Sequence, residues 1–176
     1  MDRYISKAVV SQVCICIDEY HVIGWKGRIY TLLNKEEIRF NNTGEMLSIM
    51  ERFWNLIEFP KESTISRSFT RPKQICYQGL KSAFEEVIYP EDGTRDKIKV
   101  EMGEEDLKGK HGDRGTFLVR VQYRQNATWQ GHVTWVEENK TVPFRSALEL
   151  IKLMDEAMVE IVDIEGGAHE NKLEKS

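Results

Sequence analysis

An internal repeat constrains this chain more than any other feature of its sequence. Shifted by 104 residues, the sequence places Trp25-Lys-Gly27 on Trp129-Gln-Gly131 and continues in alignment without a gap. The identical pairs are Trp25 and Trp129, Gly27 and Gly131, Phe40 and Phe144, Glu45 and Glu149, and Met50 and Met154. Conservative pairs lie between them at core-like spacing, which predicts a duplicated structural unit.

Three short segments in each copy alternate apolar and polar residues, as a strand with one buried face does. They are residues 13–17, 27–31 and 38–40 in the first copy, and residues 117–123, 131–135 and 142–144 in the second. Gly27 and Gly131 stand inside strands, where glycine indicates a bulge or a close backbone approach. Because Pro143 has no N–H to donate, the third strand is predicted at a sheet edge.

A helix is predicted after the third strand of each copy. Asn42 with Glu45, and Ser146 with Glu149, have the spacing of a capping box, which satisfies free N–H groups at a helix start. The apolar residues that follow share the helical spacing i, i+3, i+4, i+7 and i+11: Met46, Ile49, Met50, Phe53 and Ile57, and Leu150, Leu153, Met154, Ala157 and Ile161. Each helix therefore has one stripe to bury, most simply against a sheet.

These patterns predict an α+β fold of two tandem β-β-β-α repeats, each an antiparallel three-stranded sheet with one helix, and an intervening α/β insert. The predicted parts are residues 1–102 (first repeat and insert), 103–114 (charged, glycine-rich linker), 115–165 (second repeat) and 166–176 (disordered tail). The insert is predicted to hold a strand at 63–69, a helix at 77–88 and a strand around Ile98 and Val100. The repeats either pack on each other around a pseudo-twofold axis, or the second repeat pairs with another chain.

Composition narrows the function classes. The 25 basic and 29 acidic residues give a net charge of −4, which argues against an overall electrostatic affinity for nucleic acid. No apolar run approaches the roughly 18 residues of a membrane helix, and the N-terminus lacks a signal-peptide pattern. We therefore expect a cytoplasmic protein without a membrane partner.

Cys14, Cys16 and Cys76 form no disulfide framework or zinc pattern, so we expect reduced thiols with a packing role.

Signatures of catalysis and of cofactor binding are absent from the sequence. It contains no GxGxxG, GxxxxGK[ST], HExxH, GxSxG or EF-hand pattern. Its four histidines, His21, His111, His132 and His169, are scattered along the chain. We therefore predict a protein that is not an enzyme and has no catalytic residue, no cofactor and no metal site. An unrecognised enzymatic site between the two copies is the alternative.

The candidate binding residues belong to the predicted outer face of the second sheet. If Phe117, Val119, Val121 and Val133 point inward, strand alternation turns the intervening residues of both strands outward. The outward residues are Arg120, Gln122 and Arg124 of the first strand of this copy, and Gln130, His132 and Thr134 of the next strand. Six neighbouring polar side chains make a flat surface that is either a binding site or an ordinary solvated sheet face.

The order of three strands and a helix, with Phe144-Arg-Ser146 leading into Glu149, resembles the arm-binding domains of phage-type integrases and the plant AP2 domains. Those families read the major groove with arginine and aromatic side chains on the sheet. The resemblance implies that Arg120, Gln122, Arg124, Gln130 and His132 read guanine and adenine edges. Residues 115–158 carry five basic and five acidic residues, however, and a sheet that grips phosphates is more basic than that.

A second resemblance is at the level of short sequence stretches. Tyr123-Arg-Gln-Asn-Ala-Thr-Trp-Gln-Gly131 and Phe144-Arg-Ser-Ala-Leu-Glu-Leu150 resemble small uncharacterised bacterial proteins about as long as one copy. This implies a bacterial origin and a unit that exists by itself, but no activity.

Taken together, these sequence features predict a non-catalytic protein-binding or regulatory module with a protein partner or a second copy of itself. The alternative is a nucleic-acid-binding protein that uses the outer face of the second sheet.

Overall fold

The chain has an α+β fold of eight strands and four helices, counted over the described residues. A computed structural model describes residues 2–63, 88–126 and 128–173, with side chains described as far as residue 161. The elements are β1 (Arg3–Ser6), α1 (Lys7–Val10), β2 (Gln12–His21), β3 (Gly24–Thr31), β4 (Ile38–Phe40), α2 (Thr43–Leu56), β5 (Lys97–Val100), α3 (Glu104–Lys108), β6 (Gly115–Tyr123), β7 (Gln130–Trp135), β8 (Lys140–Phe144) and α4 (Ala147–Leu173).

Six strands form one antiparallel sheet in the order β4-β3-β2-β6-β7-β8. At its centre β2 pairs with β6, and Cys14 lies opposite Leu118. The sequence predicted two three-stranded sheets, whereas the structure joins the six strands into one. The physical reason is that β2 and β6 would each be an edge with unpaired N–H and C=O groups, and pairing them removes both edges. Pro143 lies on the edge strand β8, as predicted.

The two hairpins of the sheet have corresponding registers and corresponding bulges. In β2–β3, Ile17 lies opposite Gly27 and the register shifts between Ile17 and Glu19. In β6–β7, Val121 lies opposite Gly131 and the register shifts just beyond it. Both glycines therefore face a bulge, and a Cβ on either would overlap a backbone carbonyl oxygen of the neighbouring strand. The predicted close backbone approach is confirmed.

Both long helices begin at the predicted capping residues. The Asn42 side chain accepts a hydrogen bond from the Glu45 N–H at 2.8 Å, and the Ser146 hydroxyl accepts one from the Glu149 N–H at 3.0 Å. The Glu45 and Glu149 carboxylates in turn accept from backbone N–H groups just before each helix. These contacts satisfy donors that have no partner inside the helix.

The predicted apolar stripes of both helices are buried. α2 lies against β3 and β4, and α4 lies against β7 and β8. All five stripe residues of α2 are buried, as are Leu150, Met154 and Ala157 of α4, while Leu153 and Ile161 are partly buried. Trp54 of α2 reaches the other half of the sheet, where its ring packs edge-to-face on Trp129. The core is therefore continuous across both halves.

The segment predicted as a linker contains structure of its own. Residues 103–114 include α3, which lies against β2, and Leu107 is 1% exposed. Among residues 103–114 this leucine is the sole large apolar side chain, and it anchors an otherwise charged segment. The segment predicted as a linker thus packs on the sheet.

The insert and the tail were predicted less completely. The predicted strand around Ile98 and Val100 is β5, which pairs with β1. The predicted strand at 63–69 and helix at 77–88 fall almost wholly within 64–87, outside the described residues. α4 continues to Leu173, into residues predicted to be disordered, because each residue added to an existing helix gains a hydrogen bond without the cost of a new helix start. None of the described helices is long and apolar enough to cross a membrane.

Candidate functional site

Three of the predicted site residues lie together on the sheet face turned away from α2 and α4. Arg120 and His132 face each other directly across β6 and β7, and Thr134 lies opposite Leu118 in the next row. Arg120 and His132 are exposed and Thr134 is half-buried. The strand alternation that predicted this face is correct up to the bulge of β6.

Neighbouring strands extend this surface on both sides. The Arg120 guanidinium donates a hydrogen bond to the Gln12 side chain of β2 at 3.0 Å, and Pro143 of β8 lies opposite His132. The hydroxyl oxygens of Thr134 and Thr141 are 2.8 Å apart. We call this surface the open sheet face; it comprises Gln12, Leu118, Arg120, His132, Thr134, Thr141 and Pro143.

The remaining predicted residues lie at the bulge, and the predicted outward orientation of Arg124 is wrong. Gln122 is exposed, and Gln130 is half-buried opposite Tyr123. Beyond the register shift the alternation reverses, so that Tyr123 is 55% exposed and Arg124 is 4% exposed. An extra residue in a bulge moves every later side chain of that strand to the opposite face.

Arg124 lies in a cluster on the helix side of the sheet. Its Nη2 donates to the Asn55 side chain at 2.5 Å and lies 3.7 Å from a carboxylate oxygen of both Glu51 and Glu62. The Glu51 carboxylate also accepts a hydrogen bond from the Trp129 ring N–H at 2.7 Å. These partners come from α2 and the loop after it, and no pattern in the sequence indicated that they meet Arg124.

The other half of the same sheet face is covered by the chain itself. Residues 101–114, which we call the covering segment, pass over β2 and β3. Arg28 donates to the His111 carbonyl oxygen at 3.2 Å, and the Lys110 ammonium lies 4.7 Å from the centre of the Tyr30 ring. Arg114 and Ile17 share a backbone hydrogen bond of 2.8 Å. This half is consequently buried around Cys14 and Cys16.

An ion pair fixes the covering segment at its far end. Arg28 binds the Asp18 carboxylate through two hydrogen bonds of 2.7 and 2.8 Å, and the Asp113 N–H donates to the same carboxylate at 3.3 Å. Partial burial by itself would raise the pKa of Asp18, but the bonds from Arg28 and Asp113 outweigh it and hold the pKa below its ordinary value. The charged form of Asp18 is therefore favoured in the folded state.

The replacement Asp18→Asn is expected to reduce the acid sensitivity of folding. A carboxyl whose pKa is lowered by folding stabilises the folded state above its unfolded pKa, about 3.9, and that contribution is lost as the pH falls through the folded value. The free energy of unfolding of the wild type should therefore fall more steeply below about pH 4 than that of Asp18→Asn. Urea unfolding at several pH values measures this difference.

The control for that measurement is Glu138→Gln, which removes one negative charge from the exposed turn between β7 and β8. If Glu138→Gln flattens the pH profile as much as Asp18→Asn does, the Arg28 ion pair is not the cause.

The two cysteines of β2 pack inside the sheet face beneath the covering segment. Cys14 and Cys16 are fully buried, with their sulfur atoms 3.9 Å apart. The contact with Cys16 and burial raise the pKa of Cys14, whereas the contact with Cys14 and the nearby Arg28 lower the pKa of Cys16. In the part of the chain that the structure describes, no cluster of His, Cys, Asp and Glu is arranged to hold a metal ion.

Comparison with protein-family models, with curated proteins and with solved structures found no match to this chain.

Proposed function

We propose that this protein is a non-catalytic binding module whose open sheet face receives a segment of a partner protein. One observation carries the proposal: half of a continuous sheet face is covered by the chain's own residues 101–114, while the other half exposes Arg120 and His132. On the covered half, Met102 and Leu107 of the covering segment are both buried, which supports the docking of a short segment with few apolar side chains on this face.

Charge indicates what kind of segment would bind. On the open sheet face Arg120 is the single formally charged residue, and within the described chain its recorded partner is the neutral Gln12. On the covered half the arginine of β3, Arg28, is neutralised by Asp18. An acidic side chain on the partner would supply the charge that Arg120 lacks, and complementary charge favours recognition of one partner over others. We therefore propose an acidic protein segment as the occupant.

The same charge count makes a nucleic acid a weaker candidate. Binding to a phosphate backbone depends on several lysines or arginines that replace counterions. The open sheet face offers one arginine. Arg124, the other arginine among the predicted readers of bases, is buried on the side of the sheet that faces α2.

We also propose that the fold arose from two tandem β-β-β-α repeats. With an offset of 104 residues, the registers of β2–β3 and β3–β4 coincide with those of β6–β7 and β7–β8, bulges included. The central pair Cys14 and Leu118 consists of equivalent residues, as expected if a pseudo-twofold axis passes between them. The capping contacts at Glu45 and Glu149 also correspond. Equal sensitivity of Gly27 and Gly131 to substitution tests this proposal.

A photo-crosslinking residue at position 132 tests the binding function. We expect it to capture a defined protein, whereas the same residue at the exposed position of Lys152 on α4 should not. With the purified partner, Arg120→Glu should weaken binding by about tenfold or more because like charges then meet. Lys152→Glu, the matched charge reversal, should leave the affinity unchanged.

Two outcomes would contradict the proposal. One is equal capture at positions 132 and 152, which indicates contact without a site. The other is a mobility shift with nucleic acid at about 50 mM salt that Arg120→Glu abolishes, since phosphate contacts are strong under those conditions. Capture of a second copy of this chain, with sedimentation showing a dimer that Arg120→Glu dissociates, would identify the partner as the protein itself.

A further inference from the structure

A cavity of about 710 Å³ lies next to the end of β6, on a different part of the molecule from the open sheet face. Four segments distant in sequence enclose it: residues 6–8, residues 58–61 with Ser63, residues 95–96, and residues 122–125. Its volume falls within the range of about 300–1,000 Å³ that is usual for small-molecule sites.

The lining of this cavity is rich in positive charge. It contains Lys7, Lys61, Arg95 and Arg124, against the two carboxylates of Glu58 and Asp96. Lys7 is 10% exposed in its side chain and lies 3.5 Å from the largely exposed Glu58 carboxylate. Several cations at one concave surface raise the local concentration of anions.

Arg124 provides the observation that points to a ligand. Its side chain is 4% exposed and lines the cavity, yet its Nε and Nη1 have no hydrogen-bond partner among residues 2–63, 88–126 and 128–173. With the part of the chain that the structure describes, Nη2 makes the polar contacts of this guanidinium: the hydrogen bond to Asn55 and the longer approaches to Glu51 and Glu62. A buried guanidinium with unpaired N–H groups is costly, and buried polar groups in proteins nearly always have a partner.

We infer that this cavity binds a small organic anion whose carboxylate or phosphate oxygens accept hydrogen bonds from Nε and Nη1 of Arg124. Charge-assisted bonds of this kind are short and strong, and arginine is the residue that most often makes them with carboxylates and phosphates. Phe59 and Tyr123, which also line the cavity, provide ring surfaces for the apolar part of the ligand. This inference is independent of the proposed binding of a protein segment.

Titration of the full-length protein with three probes tests the inference: inorganic phosphate, benzoate and adenosine monophosphate. Binding is measured by calorimetry and by the NMR signal of the Arg124 Nε–H group, which a bound oxygen shifts directly. We expect at least one organic probe to bind more tightly than phosphate alone, because it also contacts the rings. Whether benzoate or the nucleotide is preferred distinguishes a carboxylate from a phosphate as the natural anionic group.

Two substitutions on the cavity wall complete the test without disturbing the buried cluster. Lys61→Gln and Arg95→Gln, at exposed positions, should each weaken the best probe several-fold and together by about tenfold, a difference of about 1.4 kcal/mol. Lys140→Gln, an exposed charge removal on β8, is the matched control and should not change the affinity. Arg124→Lys should fold, keep the charge and still lose most of the binding, because an ammonium lacks the planar array of donors.

Absence of any response of the Arg124 Nε–H signal to all three probes would overturn the inference. So would equal affinities in Lys61→Gln, Arg95→Gln and Lys140→Gln, because the anions would then bind the surface without a specific site. If Arg124→Lys does not fold, the two exposed substitutions and the NMR signal still decide the question.

Discussion

Alanine at Gly131 is expected to lower the free energy of unfolding by about 3 kcal/mol, and alanine at Gly27 by a similar amount. A Cβ at Gly131 would overlap the Arg120 carbonyl oxygen, and a Cβ at Gly27 would overlap that of Cys16. Both obstacles are backbone atoms, which cannot move aside without opening the pairing between the strands. Urea unfolding of the two variants, followed by tryptophan fluorescence and circular dichroism, measures the loss.

Gly109→Ala is the matched control, because it adds the same methyl group where space exists. The backbone there has a φ of −78°, and the nearest atoms to an added Cβ lie at 3.5 Å, an ordinary contact distance. We expect Gly109→Ala to change the free energy of unfolding by less than about 1 kcal/mol. A large loss for Gly131→Ala and a small one for Gly27→Ala would contradict the proposed equivalence of the two hairpins.

Local features of this fold could be predicted from the sequence because their causes are local. Asn42 and Ser146 cap helices through contacts with residues three positions later, so the spacing alone revealed both helix starts. Alternation likewise revealed the strands, since one buried face requires an apolar residue at every second position. The edge position of β8 followed from Pro143.

Pairing between the halves could not be predicted in the same way. The alternation of residues 13–17 indicates which face is buried but not which strand lies alongside, so a second chain was an equally good partner for the second repeat. Burial of Leu107 was missed for a related reason. One leucine among charged residues is typical of a solvated segment, and only the position of α3 over β2 shows that it is an anchor.

The outward orientation of the candidate-site side chains was predicted correctly as far as the bulge, and incorrectly for Arg124 beyond it. Arg120 precedes the register shift in β6, and His132 lies directly opposite Arg120 in β7. Both side chains therefore lie on the expected face. Gly131 did indicate a bulge, but the sequence does not say which strand carries the extra residue. The shift in β6 therefore turned Arg124 inward, to α2 and to the cavity, whose walls come from segments too far apart in sequence to be associated beforehand.

Trp54→Ala is expected to lower the free energy of unfolding by about 4 kcal/mol, the usual cost of removing a large buried ring. Trp54 is fully buried; its ring N–H donates to the Ser11 carbonyl oxygen at 2.9 Å and its ring packs at 4.8 Å on Trp129. Because Ser11 precedes β2 and Trp129 precedes β7, the side chain ties α2 to both halves of the sheet. Near-ultraviolet circular dichroism should also change, since Trp129 loses its aromatic neighbour.

Two further variants separate the possible causes of that loss. Trp54→Phe keeps a ring against Trp129 but leaves the Ser11 carbonyl without its donor, and we expect it to cost about 1–3 kcal/mol. Leu148→Ala removes an apolar side chain that is 61% exposed on α4 and should change the free energy of unfolding by less than about 0.5 kcal/mol. Because one sheet spans both halves, each variant should unfold in a single transition. Two separate transitions in Trp54→Ala would mean that the β2–β6 pairing does not by itself make the two halves one cooperative unit.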